Sequence, residues 1–218
     1  MTTTELVFKI ITHVVQVTTV IICIVFVFSE PSTTIYRLFA FGWAMILLSD
    51  LIMVVIGLLN PIPNVSIYNF IFPLIQLFCM WFFVAELQGK GLVFILLIFI
   101  AFAVLNLLFV QGSAILNTYS LSLGGIIIFL LASSKLYLLW KKETPSSLFA
   151  EADFWFCIGF ILYWALATPF FSMYNFFGQA YPGFFRIYFF TVSFGATIVL
   201  NISIIKALLC SLTTIKKR

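Results

Sequence analysis

One carboxylate, Asp50, stands inside the apolar run Leu38–Leu59. It lies about 18 Å from the start of that run if the run is a helix rising 1.5 Å per residue. At mid-depth in hydrocarbon such a side chain costs about 2.5–3.5 kcal/mol. It must therefore turn toward other helices and be paired, protonated or hydrated. His13, the single histidine, sits in the preceding apolar run and is the titratable group at matching depth. A carboxylate beside an imidazole can relay a proton or hold a polar ligand. The same pair can also serve as an interhelical hydrogen bond.

Other polar residues recur at helical spacing. Trp43, Asp50 and Gly57 repeat every seven residues on one face, and Gly57 would admit a close neighbour. Asn69, Pro73 and Gln76 share a face through i+4 and i+3 steps. Pro73 has no N–H, so the carbonyl of Asn69 is released as an extra acceptor. Pro169 does the same for Ala165, near Tyr163. Asn106 falls in a fourth run, and Arg186, Ser193, Thr197 and Asn201 follow helical spacing in the last. Isolated Ser, Thr or Asn in membrane helices is more often packing glue than ligand. The expectation of a site rests on convergence. His13, Asp50, Asn69, Gln76 and Asn106 fall in one half of the bundle by depth. We expect a polar cavity there, with Asp50, His13, Asn69, Gln76, Asn106, Tyr163 and Arg186 as ligand-binding residues.

Several chemistries find no support. One histidine cannot build a zinc hydrolase centre, and no H-E-x-x-H is present. A retinal Schiff base needs a mid-span lysine, but Lys9, Lys135 and Lys206 lie near the ends of their runs. Phosphate-binding loops and nucleophile elbows are missing. We expect no enzyme, no cofactor and no metal. Glu86, Lys90, Lys135 and Lys206 form a second group at the other side, read as snorkelling or paired interfacial charges.

These residues must be held by apolar helices. The chain of 218 residues is 64% hydrophobic and 8% charged, with mean hydropathy +1.22. Soluble domains carry about 25% charged residues, so the solvent is lipid. The runs are Val7–Phe28, Leu38–Leu59, Tyr68–Leu87, Leu92–Val110, Tyr119–Leu139, Phe154–Phe171 and Phe184–Leu209. A bilayer core needs about 20 apolar residues per helix. The expected fold is all-α: one domain, 1–218, forming a polytopic bundle of seven transmembrane helices. The first run reads as a retained span, since Ser29-Glu30-Pro31 offers no small-x-small cleavage site.

Arg37, Lys90, Lys135, Lys141, Lys142, Lys206, Lys216, Lys217 and Arg218 fall on one side, against Lys9 and Arg186 on the other. This asymmetry predicts an outside N-terminus and a cytoplasmic C-terminus in the inner (plasma) membrane. It also accounts for the net charge of +4 without nucleic acid. Trp140, Trp155, Tyr36, Tyr68, Tyr119 and Tyr181 are expected to anchor at the interfaces. The four cysteines sit in apolar runs without C-x-x-C spacing and read as packing residues. The first and last three runs share an orientation order, with the fourth as a possible linker.

The stretch Asp153-Phe154-Trp155-Phe156-Cys157-Ile158-Gly159-Phe160-Ile161-Leu162-Tyr163-Trp164 precedes an Asn-containing last run. With Asn69-x-x-x-Pro73-x-x-Gln76, it resembles uncharacterised small seven-helix membrane proteins of Bacteroidota, in which an acidic residue is more usual than Gln76. That resemblance covers the third, sixth and seventh spans, and implies a signalling accessory near sensor kinases. The sugar-transporting 3+1+3 family is also similar in length and orientation. The chain departs from its Pro-Gln loop, because Pro73 and Gln76 are not adjacent. The leading functional expectation is a non-enzymatic sensor or receptor-like module. It would bind a small or lipid-like ligand and act through a membrane or cytoplasmic protein partner. A small proton-coupled carrier using Asp50 and His13 is the alternative, and a structural subunit of a membrane complex is a third.

Overall fold

The computed structural model describes residues 3–29, 34–59, 65–88, 90–112, 115–141 and 148–215. Lys142 and the basic tail Lys216-Lys217-Arg218 lie outside the described residues, as do the side chains of Lys90 and Arg186 and the surroundings of Gly57. Every regular element described is helical. They are α1 (Thr3–Phe28), α2 (Thr34–Leu59), α3 (Val65–Leu87), α4 (Val93–Leu105), α5 (Thr118–Lys141), α6 (Ala152–Ala180), α7 (Pro182–Phe189) and α8 (Gly195–Ile215). Two π-helical segments extend them: Asn106–Val110 continues α4, and Phe190–Phe194 joins α7 to α8. Among the described residues, seven spans are long and apolar enough to cross a bilayer. The protein is a polytopic α-helical membrane bundle. In hydrocarbon each peptide group must bond within its own segment, which leaves the helix as the default conformation.

Two boundaries differ from expectation. The sixth helix runs through Pro169 to Ala180, past the expected end of its run at Phe171, and only Tyr181 separates it from α7. Proline removes one donor, but the peptides beyond it have no partners except one another, and the helix resumes. The seventh run is not one α-helix, because the π segment interrupts it.

The helices form a ring in the order α1, α2, α3, α5, α6, α8, closed by α8 against α1. Helix α4 stands outside this ring and touches α3 and α5. It is the least enclosed span, with 17% of its most apolar stretch buried against 44% in the sixth and seventh spans. A linker helix would occupy that place, although a ring in chain order relates its first and second halves in any case. Packing around the ring is uneven. The α6–α8 seam is tight because Gly159 has no Cβ; one built there would stand 2.6 Å from Ser203 Cβ. The α2–α3 seam is sparse. Its ring contacts, Tyr36–Phe82, Phe39–Phe78 and Phe39–Phe82, all involve the first turns of α2 and the second half of α3.

Three layers follow along the bundle axis. At one end Lys135 Nζ bonds Glu86 Oε2 at 2.8 Å and Asp153 Oδ2 at 3.0 Å, while Tyr36 donates its hydroxyl to Asp153 Oδ1. Above this ion cluster lies an aromatic layer. Phe39 meets Phe82 at 4.4 Å between ring centroids and Phe156 edge-on at 4.9 Å; Phe160 meets Phe83 at 5.2 Å and Trp43 at 5.9 Å. Such ring pairs contribute about 0.5–1.5 kcal/mol each beyond burial. Beyond the aromatic layer the helices part around a cavity. Tyr36 and Asp50 belong to opposite ends of this stack, about 21 Å apart along α2.

Two expectations change here. Tyr36 and Tyr68 are not interfacial anchors. Tyr36 is drawn into the ion cluster by the carboxylate of Asp153, and Tyr68 lines the cavity. Tyr119, Tyr181 and Trp140 do expose their rings on the outside of the bundle. Of the two readings of Lys135, pairing holds and snorkelling does not: it is buried between two carboxylates, which replace the water a free ammonium would seek. Lys206 lies 6.0 Å from the Trp155 ring instead. The four cysteines are free and buried.

Candidate functional site

The cavity has a volume of about 480 Å³ and is lined from α1, α2, α3, α5, α6 and the α7–α8 span. Its walls are mostly apolar, with a few convergent polar groups, the usual composition of small-molecule sites. Of the residues expected from sequence, His13, Asp50, Gln76 and Tyr163 line it. Ser193, Thr197 and Asn201 of the last span do so as well.

One wall is a hydrogen-bonded chain between α1 and α2. Gln16 donates from Nε2 to Asp50 Oδ2 at 2.9 Å. Its Oε1 lies 2.9 Å from His13 Nδ1. An amide oxygen only accepts, so with this orientation Nδ1 carries the proton and His13 Nε2 is left as a lone pair in the neutral ring. That Nε2 is buried and has no partner. Among the described residues no cation lies within ion-pair distance of Asp50. Asp50 is therefore held by a neutral amide and sits within electrostatic reach of Tyr68 and Tyr163. The expected direct Asp50–His13 contact is replaced by a bridge. Gln16 occupies it because it lies three residues after His13, on the same face of α1.

The other wall is built on a bare patch of α5. Gly124 and Gly125 carry no side chains, and their neighbours fill the space. A Cβ at Gly124 would collide with the amide of Gln76, and one at Gly125 would strike the Trp164 ring and the Thr168 hydroxyl. Gln76 donates from Nε2 to Leu121 O at 2.7 Å, which fixes the amide, and its Oε1 is buried without a partner. The benzo edge of Trp164 meets Gly125, so the indole N–H lies on the far edge of the ring. It too is buried and without a partner. Gln76 and Trp164 both line the cavity and are 1% and 5% exposed. The floor is Trp43 and Phe160. There the Trp43 indole donates to Asn201 Oδ1 at 3.2 Å, and Asn201 Nδ2 donates to Thr197 O at 2.9 Å.

Asn69 and Asn106 do not line the cavity. They join a separate buried network around Asn117. Asn69 Nδ2 donates to Ile115 O and its Oδ1 accepts from Asn117 N, both at 2.8 Å. Asn106 Nδ2 donates to Asn117 Oδ1, to Gln111 Oε1 at 3.0 Å and to Ser120 Oγ at 3.2 Å. Asn117 also caps α5, accepting from Ser120 N at 3.3 Å. This network ties the chain between α4 and α5 to α3. The side chain of Arg186 lies outside the described residues.

Sequence reasoning missed Gln16, Trp164, Gly124 and Gly125. Signals for them existed. Gln16 follows His13 by three residues, and a glycine pair inside an apolar helix marks close approach by a neighbour. No three or more His, Cys, Asp or Glu side chains among the described residues are grouped to hold a metal. Comparison with family models, with curated proteins and with solved structures finds no match for this chain.

Proposed function

We propose that the chain is a membrane-embedded, receptor-like ligand-binding protein that holds a small or lipid-like molecule in this cavity. One observation carries the reading. Among the described residues, three that line this one cavity, from three different helices, each carry a buried polar atom without a partner: His13 Nε2, Gln76 Oε1 and Trp164 Nε1. Each such atom costs roughly 1–3 kcal/mol when left unsatisfied, and a bound molecule relieves that cost. Asp50, His13, Gln76 and Tyr163 are ligand-contacting residues in this reading, while Asn69 and Asn106 brace the wall behind them. The role is binding rather than catalysis. The positive-inside asymmetry sets the cavity toward the outside of the inner membrane and the ion cluster toward the cytoplasm. A partner protein at that cytoplasmic end would read the change in helix arrangement. The likeness of residues 153–164 to small seven-helix signalling accessories accords with such a partner. The ligand must bind two helix arrangements unequally for any signal to pass.

The test is ligand retention. Full-length protein is purified in lipid nanodiscs formed from native membrane extract, and co-purifying molecules are identified by mass spectrometry. A stoichiometric compound lost in Asp50→Ala or Gln76→Leu supports the reading. Equal retention by wild type and both variants, or none by any, refutes it.

A second reading, the proton-coupled carrier, draws on the layering. The helices part around the cavity, while the aromatic layer and the Lys135 cluster pack the other end of the bundle, an asymmetry expected of an alternating-access carrier facing one side. The Asp50–Gln16–His13 chain would be its proton site. Solute movement into liposomes that follows a proton gradient and disappears in Asp50→Asn would favour it. Binding without flux would leave the receptor.

A further inference from the structure

The cavity's partnerless groups differ in kind, and the difference selects the ligand. Gln76 Oε1 is an acceptor, because its amide nitrogen is already committed to Leu121 O. Trp164 Nε1 is a donor and nothing else. Both residues are more than nine-tenths buried and line the same cavity. Gln76 packs its amide on Gly124 of α5 and Trp164 its benzo edge on the adjacent Gly125. An ammonium group would satisfy Gln76 but give the indole no acceptor. A carboxylate would satisfy the indole but face the Gln76 oxygen as a second acceptor. A hydroxyl- or carboxamide-bearing group carries both a proton and lone pairs and can satisfy both. The third orphan, His13 Nε2, adds a place for a second hydroxyl, which can donate or accept as the ring nitrogen requires.

We propose that the Gln76–Trp164 wall over Gly124–Gly125 is a subsite for an uncharged head bearing hydroxyl or carboxamide groups. The proposal rests on the ligand-binding reading above and narrows it to a chemical class. The remaining wall explains why the molecule is amphiphilic. Most of the lining is aliphatic or aromatic, so the head is followed by an apolar body. The α2–α3 seam is the sparsest in the ring, and its ring contacts lie away from the cavity end, so the body would leave toward lipid there. Asp50 accepts a hydroxyl proton at the opposite wall without needing a cation. The subsite discriminates by penalty: a head of the wrong charge leaves one buried group unpaired, and pockets built from hydrogen-bonding groups reject analogues strongly for that reason.

The experiment uses the full chain in nanodiscs doped with one probe at a time. Monoolein, oleate and oleylamine share a tail and differ in the charge of the head; glycerol supplies hydroxyls without a tail. Occupancy is read by native mass spectrometry. Monoolein should exceed oleate and oleylamine, and Trp164→Phe and Gln76→Leu should each lower monoolein occupancy roughly tenfold, about one neutral hydrogen bond's share. The charged probes should shift in opposite senses: Trp164→Phe, which removes the donor a carboxylate needs, favours oleylamine over oleate, and Gln76→Leu, which removes the acceptor an ammonium needs, does the reverse. Trp164→Phe keeps a ring on Gly125, so a retained melting temperature shows that the fold is intact. Glycerol binding as well as monoolein would support the head-group chemistry and give the ligand a water-soluble source. Preference for oleylamine or oleate, or monoolein occupancy indifferent to both variants, overturns the subsite while leaving the ligand-binding reading standing. Failure of all probes together with an empty native extract overturns both.

Discussion

Replacing Lys135 by Met tests whether the closed end of the bundle is dry. Lys135 Nζ lies 2.8 Å from Glu86 and 3.0 Å from Asp153, and the three side chains are only 11%, 15% and 17% exposed. One positive charge stands between two negative ones. Methionine fills nearly the same volume but leaves both carboxylates buried, adjacent and without a cation. Removing one partner of a buried pair costs about 3–5 kcal/mol, roughly two to three and a half powers of ten in the unfolding equilibrium. Reversible SDS titration in mixed micelles, followed by circular dichroism, measures the loss. A companion variant sharpens the logic. Lys135→Met combined with Glu86→Gln and Asp153→Asn removes every formal charge in the cluster and should regain most of the stability, since a neutral isosteric set often matches a buried ion pair. A loss below about 1 kcal/mol for Lys135→Met would mean that water screens the cluster as it does a surface pair. The layered picture would then be wrong at its base.

Gln16→Leu removes the bridge, strands Asp50 beside His13 without its amide donor, and should cost roughly 1–3 kcal/mol in the same titration while lowering ligand retention. Asn117→Ala should cost a similar amount, roughly 1–3 kcal/mol, yet leave retention unchanged, because the asparagine network lies outside the cavity lining. Gly159→Val forces α6 away from Ser203 on α8 and should cost about 1–3 kcal/mol by overpacking. Gly91→Ala, with nothing within 4 Å of the added methyl, should stay within about 0.5 kcal/mol in the same assay.

The spans were legible because hydrocarbon leaves little choice: a run of about 20 apolar residues without water must be a helix. Height along each helix was legible from the rise per residue. Partners were not. Rise per residue gives height but not the azimuth of one helix against another, so His13 and Asp50 could be set level without revealing that Gln16 stands between them. Asn69 and Asn106 shared the right depth and still belong to a different cluster, because their helices meet the chain before α5 rather than the bundle interior. Lys135 was grouped with Glu86 as snorkelling or paired, and it is paired with Glu86; its burial and its second partner, Asp153, were not legible. Burial followed from two carboxylates on other helices, and no property of α5 alone announces that. The Gly124–Gly125 patch is visible in the sequence as a pair of glycines, but what lies on it depends on α3 and α6.

The layering also has an electrical consequence. Water in a cavity conducts, on the scale of a bilayer, whereas a packed layer of phenylalanine rings insulates. With the cavity wet, the membrane voltage no longer falls evenly across the full thickness of the protein; it concentrates over the short span of rings from Trp43 to Phe156. A charge crossing only that span would do nearly the work of crossing the whole membrane, about 2.3 kcal/mol for each 100 mV.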